Sequence, residues 1–153
     1  QEVPEAAELT NYRLYNVETG AHLYTTDSNE RVTVERIFPQ YLDEGKGFTV
    51  WDGDQDGDFS PVFRFYNAET GTHFYTADTN ERDFVQDNLE EFIYEGVSYF
   101  ISKNNFSETI PVFRFYNIET KAHFYTVNTV ERDFISDNLS QFVYEGVQYY
   151  VLP

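Results

Sequence analysis

Three stretches of the chain bring together side chains able to handle a hydroxyl-rich ligand. They are Arg13, Tyr15, His22 and Tyr24 within YRLYNVETGAHLYT; Arg64, Tyr66, Asn67, His73 and Tyr75 within VFRFYNAETGTHFYT; and Arg114, Tyr116, Asn117, His123 and Tyr125 within VFRFYNIETKAHFYT. Guanidinium, phenol, imidazole and amide groups at one place supply the donors and acceptors a sugar needs, and the rings offer faces for its C–H surface. Strand alternation puts Arg64 and Tyr66 on one face and Phe63 and Phe65 on the other. Pairing across the turn then sets His73 and Tyr75 beside them. One outward polar-aromatic face per copy is expected, and three weak sites on one body would grip a multivalent surface by avidity. The same residues have another possible use: pinning each hairpin to the next copy, Arg stacked on rings and His bonded to backbone. Both uses stay open at this level.

Other chemistries are weaker. Three equivalent His could meet on a three-fold axis as a zinc site with an open position, but each sits beside a turn and no acid is fixed as its partner. Asp52, Asp54, Asp56 and Asp58 in DGDQDGD, with Gly57, match the first half of a calcium loop, although Phe63 stands where the bidentate Glu belongs. Calcium is therefore a candidate cofactor, set against a solvated acidic loop. No asymmetric acid, base or nucleophile set and no catalytic motif is present, so an enzyme is not expected.

These residues recur because the chain repeats itself. Arg13, Arg64 and Arg114, then Glu30, Glu81 and Glu131, then Glu44-Gly45, Glu95-Gly96 and Glu145-Gly146 keep offsets of 51 and 50. The copies span about 11–51, 62–102 and 112–152, and 52–61 is an acidic joint. Within a copy, aromatic-rich runs flank a turn and predict a hairpin. Asp78 followed by Glu81 at capping-box spacing, with Phe84, Val85 and Leu89, predicts a short helix, and Asp27/Glu30 and Asn128/Glu131 repeat the cap. Runs on either side of Glu95-Gly96 predict a second hairpin, Gly taking the turn. Three four-stranded copies are too few blades to close a propeller, and the regular last copy argues against a capped solenoid. The expected fold is all-β with short helical segments: a three-fold pseudo-symmetric, β-trefoil-like single domain.

Composition narrows the partners. The chain of 153 residues has 27 acidic and 10 basic side chains, net −17, which repels nucleic acid and anionic lipid. It has no Cys, hence no disulfide framework, and no apolar run near ~18 residues, hence no membrane insertion. The absence of Met suggests a segment of a longer protein. A ring-packed core follows from 15 Phe, 13 Tyr and one Trp.

The repeated phrase, Tyr/Phe-Arg-Phe-Tyr-Asn, Thr-Gly-x-His-Phe-Tyr-Thr, Glu-Arg and Tyr-Glu-Gly, resembles an uncharacterised repeat family of bacterial secreted proteins. It covers Asn11 to Leu152. The resemblance implies an accessory module of extracellular hydrolases or surface adhesins, located outside the cell or on its surface, a monomeric part of a larger protein. It implies targeting or binding of a glycan or cell-surface polysaccharide rather than catalysis; the alternative is a protein-interaction or spacer module. The first copy departs from the pattern at Leu14, Leu23 and Asp43.

Overall fold

The computed structural model describes residues 7–54 and 57–153, so Asp56 of the candidate calcium loop lies outside the described residues. Three copies of a strand, strand, helix, strand unit follow one another. The first holds β1 (Glu8–Asn16), β2 (His22–Thr25), α1 (Ser28–Ile37) and β3 (Tyr41–Trp51). The second holds β4 (Ser60–Asn67), β5 (Thr72–Thr76), α2 (Thr79–Asn88) and β6 (Phe92–Ile101). The third holds β7 (Ile110–Asn117), β8 (Ala122–Thr126), α3 (Thr129–Asn138) and β9 (Phe142–Val151). The protein is thus mostly antiparallel β-sheet with three short helices. Among the described residues no helix is long and apolar enough to cross a membrane.

In each copy the first strand lies in the middle, paired to the second on one side and the third on the other. The hairpin is as expected: Arg64 stands opposite Tyr75 and Tyr66 opposite His73. The second expected hairpin is absent. Phe92 to Ile101 is one strand, and Glu95-Gly96 is a bulge in it, not a turn. The register slips between Val62 and Phe63 and again between Arg64 and Phe65, with Gly96 at φ 93°. The extra residue bends the strand and re-aims a side chain; Glu95 is turned onto Arg64, its Oε1 2.8 Å from Nε. A turn and a glycine-bearing bulge draw on the same residue types, which is why the pattern misleads.

The helices begin as the spacing predicts. Asp27, Asp78 and Asn128 are N-caps, each accepting from the N–H groups two and three residues on. The Glu at the third helical position does not close a capping box; it reaches across to the neighbouring copy.

The third strands of the copies meet near their ends. Trp51 pairs with Phe100, and single bridges join Thr49 to Leu152 and Ser102 to Tyr150, so each copy touches both others. Between them lies the main core, built from equivalent positions: Tyr24, Tyr75 and Tyr125; Phe48, Tyr99 and Tyr149; Val50, Ile101 and Val151. Val62 and Val112 belong to it too, but the first copy puts Asn11 there, fully buried and with neither amide atom bonded to a protein partner among the described residues. Smaller apolar clusters sit under the helices, around Phe65 and Val85 in the second copy and Phe115 and Ile135 in the third.

Candidate binding site

Tyr24, Tyr75 and Tyr125 lie buried where the three copies meet. Their rings meet edge to face, with centroids 5.5 to 5.8 Å apart. Each hydroxyl serves the backbone of the preceding copy's tyrosine, the third copy standing before the first. That of Tyr75 accepts from the N–H of Tyr24 at 2.8 Å and donates to its C=O at 2.7 Å. Tyr24 does the same for Tyr125 at 3.0 and 2.7 Å, and Tyr125 for Tyr75, whose N–H donates at 3.1 Å. The cycle closes after three steps. Since β2, β5 and β8 are outer strands of their sheets, their free N–H and C=O groups need such partners. Burial raises these phenol pKa values. Tyrosine therefore occupies the place where three His were weighed as a zinc site.

The arginines form a second closed cycle, further out. Arg64 grips both oxygens of Glu30 at 2.8 and 3.0 Å, Arg114 those of Glu81 at 2.9 and 3.1 Å, and Arg13 those of Glu131 at 3.0 and 3.3 Å. Each Nε is held by its own copy's bulge glutamate, Glu44, Glu95 or Glu145, at 2.7 to 2.8 Å. Such bidentate bridges are the strong form of the charge-assisted bond. Arg64 holds the Glu30 carboxyl below the usual range. At Glu81 and Glu131 burial acts the other way, but the bonds to Arg and to Thr76 or Thr126 outweigh it and the net shift is downward. The copies are thus joined in one rotational sense by phenol-backbone and Arg–Glu bonds.

Asn67 and Asn117 also serve structure first. Each Oδ1 accepts from two N–H groups of its own turn, as Asn16 does in the first copy.

The histidines and the outer tyrosines form walls. His22, His73 and His123 place Nε2 3.2 to 3.5 Å from the bulge glutamate, an ion-pair distance. Burial, reinforced by the adjacent Arg, drives the pKa down to about 4 for His73 and about 3 for His123; for His22 burial lowers it against the bond to Glu44. His123 packs on Phe74 and His22 on Phe124, both at 4.7 Å between centroids.

Between the second and third copies this produces a cleft of about 360 Å³. One wall is Phe74, Phe84, Val85, Leu89 and Phe92; the other is Arg114, Tyr116, His123 and Glu145. The equivalent cleft between the third and first copies, about 280 Å³, sets Phe124, Phe134, Ile135, Leu139 and Phe142 against Arg13, Tyr15, His22 and Glu44. Phe84 and Phe134 stand at the lips, 59% and 58% exposed. Of Phe84, Val85 and Leu89, the apolar residues at helical spacing, Val85 is the one fully buried by α2.

At the junction of the first and second copies, where Arg64, Tyr66 and His73 lie, the facing positions are Leu23, Thr33, Val34, Phe38 and Tyr41. Thr33 stands there in place of Phe84 and Phe134, and Phe38 is the exposed ring. Burial raises the Tyr41 phenol, which bonds the Asn16 side chain and lies within electrostatic reach of Tyr66. Asp43, standing where Tyr94 and Tyr144 are in the other copies, pairs with Arg31 at 2.6 Å.

In the acidic joint, Asp54 spends Oδ1 on the N–H of Phe59 at 3.0 Å. Among the described residues no group of three or more His, Cys, Asp or Glu is gathered as for a metal ion.

Mostly antiparallel β copies are joined by aromatic and Arg–Glu contacts into one repeat-built body with clefts at its joints. The chain belongs to the family described as a domain of unknown function, DUF5648, whose model matches residues 10–152. No curated protein and no solved structure matches it.

Proposed function

We propose that the chain is a non-catalytic, lectin-like carbohydrate-binding module of a secreted or cell-surface protein, and that sugars bind in the clefts between copies. One observation carries this reading: an exposed phenyl ring, Phe84 or Phe134, at the lip of a cleft whose far wall presents Tyr, His and an Arg–Glu bridge. A pyranose can lay its C–H face on the ring while its hydroxyls meet the polar wall. The net charge of −17 favours a neutral glycan over anionic partners, and two open clefts on one body provide avidity. The β-trefoil-like three-fold plan belongs to the same proposal. The tyrosine and Arg–Glu cycles support it, whereas three strands per copy rather than four is a departure from it. Calcium at Asp52, Asp54, Asp56 and Asp58, the extracellular setting and the attachment to a hydrolase or adhesin rest on sequence pattern and resemblance. A second reading, a protein-interaction or spacer module, is favoured by how fully the arginines and inner tyrosines are used in joints.

A broad glycan array, run in calcium and again with chelator on the wild type and the Phe84→Ala/Phe134→Ala double variant, separates the two. The proposal expects a related set of sugars bound by the wild type and lost in the variant, whose two rings are exposed enough to remove without unfolding the chain. A blank array in both conditions transfers the weight to the second reading. Calcium titration by calorimetry, repeated on Asp54→Ala and Asp56→Ala, tests the ion: no heat, or heat unchanged in the variants, removes it.

A further inference from the structure

The two open clefts are not the same size, about 360 Å³ against about 280 Å³. Ten lining positions correspond between them; Asn67, Glu91 and Lys121 line only the cleft between the second and third copies. Lys121 has φ 61°, the one non-glycine residue with positive φ among the described residues. The other two copies have Gly20 and Gly71 there, at φ 74° and 73°. Left-handed backbone is unfavourable for a residue with a Cβ, and such strain marks places where a side chain is wanted for another reason. Neither the Lys121 ammonium nor the Glu91 carboxylate takes part in an ion pair among the described residues, unlike Arg114, Glu81 and Glu145 in the same cleft. The counterpart positions at the sister cleft are Gly20 and Gln141.

We infer that Lys121 and Glu91 form a second subsite, so that the cleft between the second and third copies holds two linked neutral sugar rings where its sister holds one. This rests on the carbohydrate reading above. The ammonium donates to ring hydroxyls and the carboxylate accepts from them; their opposite charges cancel, which suits a neutral chain rather than a uronate. Lys121 is then a specificity-determining residue, and the strained backbone is what carries its side chain to the end of the cleft.

The test uses an array and calorimetry with neutral hexoses and N-acetylhexosamines, each as monosaccharide and as disaccharide. The proteins are the wild type and the Lys121→Gly/Glu91→Gln variant, which installs residues the fold already accepts at equivalent positions. The wild type should prefer a disaccharide over its monosaccharide, and the variant should lose about tenfold in disaccharide affinity, the effect of two hydrogen bonds to charged groups partly open to water, with monosaccharide affinity unchanged. Equal affinity for one and two rings, or a variant that binds both as the wild type does, overturns the subsite while the carbohydrate reading stands. A wild type that binds no sugar overturns both.

Discussion

Replacing Tyr75 by Phe takes one oxygen atom from the centre of the molecule and leaves the ring in place. That oxygen serves two backbone groups of Tyr24, the N–H at 2.8 Å and the C=O at 2.7 Å. Both sit on the outer edge of β2, and Tyr24 is 1% exposed, so water does not replace the lost partner. A buried polar group left unpaired costs about 1–3 kcal/mol, and with two such groups and some relaxation the loss should be about 2–4 kcal/mol. In a domain of this size that lowers Tm by roughly 5–15 °C. Urea unfolding followed by the fluorescence of buried Trp51 measures it, with Tyr24→Phe and Tyr125→Phe as companions. Because each hydroxyl serves an equivalent N–H and C=O, the three losses should agree within about 1 kcal/mol. If all three fall below about 0.5 kcal/mol, the phenol-backbone cycle is not what joins the copies.

Further outcomes follow from the same contacts. Acid should destabilise the fold in two stages. His73 and His123, with folded pKa of about 4 and about 3 set first by burial, protonate in the unfolded chain from about pH 6.5 downward. The unfolded state then binds more protons, so stability declines from about pH 6.5 toward those values. The depressed carboxyls of Glu30, Glu81 and Glu131 add a loss below about pH 4.3. Urea unfolding at pH 7.5 and pH 5 checks the first stage: His73→Gln/His123→Gln should flatten it, and a wild type equally stable at both values would contradict it. Arg114→Met should cost about 2–4 kcal/mol in the same assay, because it leaves the part-buried Glu81 and Glu145 carboxylates without the cation they share; a loss near zero would mean the bridge is no more than a surface contact. Asn11→Val, which installs the residue of the other copies, should stabilise by about 1–3 kcal/mol, and a destabilised variant would show that the amide has a use in the core.

The plan of the molecule was legible because repetition is a statement about equivalence. Constant spacing between Arg13, Arg64 and Arg114 and between the Glu-Gly pairs showed that whatever one copy does, the others do also. Local chemistry was legible too: Asp27, Asp78 and Asn128 cap helices because short-range hydrogen bonds need only short-range sequence. Partners across copies were not, since an offset does not say which neighbour a side chain meets. Glu81 at its spacing from Asp78 satisfies the capping-box pattern, yet its carboxylate goes to Arg114, 33 residues on. The signal was that Arg and Glu recur together in every copy of a chain with only 10 basic residues, too few to be spent three times over without a partner. Tyr75 was assigned to the right strand face, but the depth of that face depends on the next copy covering it. The ring at Phe84 is exposed because α2 buries Val85 instead, a rotation of the helix that a weakly amphipathic stretch leaves undetermined.

The claim on which everything functional depends is that ligand sits between copies, at two of the three junctions. Calorimetric titration of the chain with a sugar found on the array gives the stoichiometry directly. The account expects two molecules per chain for the wild type, one for Phe84→Ala, one for Phe134→Ala and none for the pair. Three molecules per chain, or a stoichiometry that neither substitution changes, would place the binding elsewhere and contradict it.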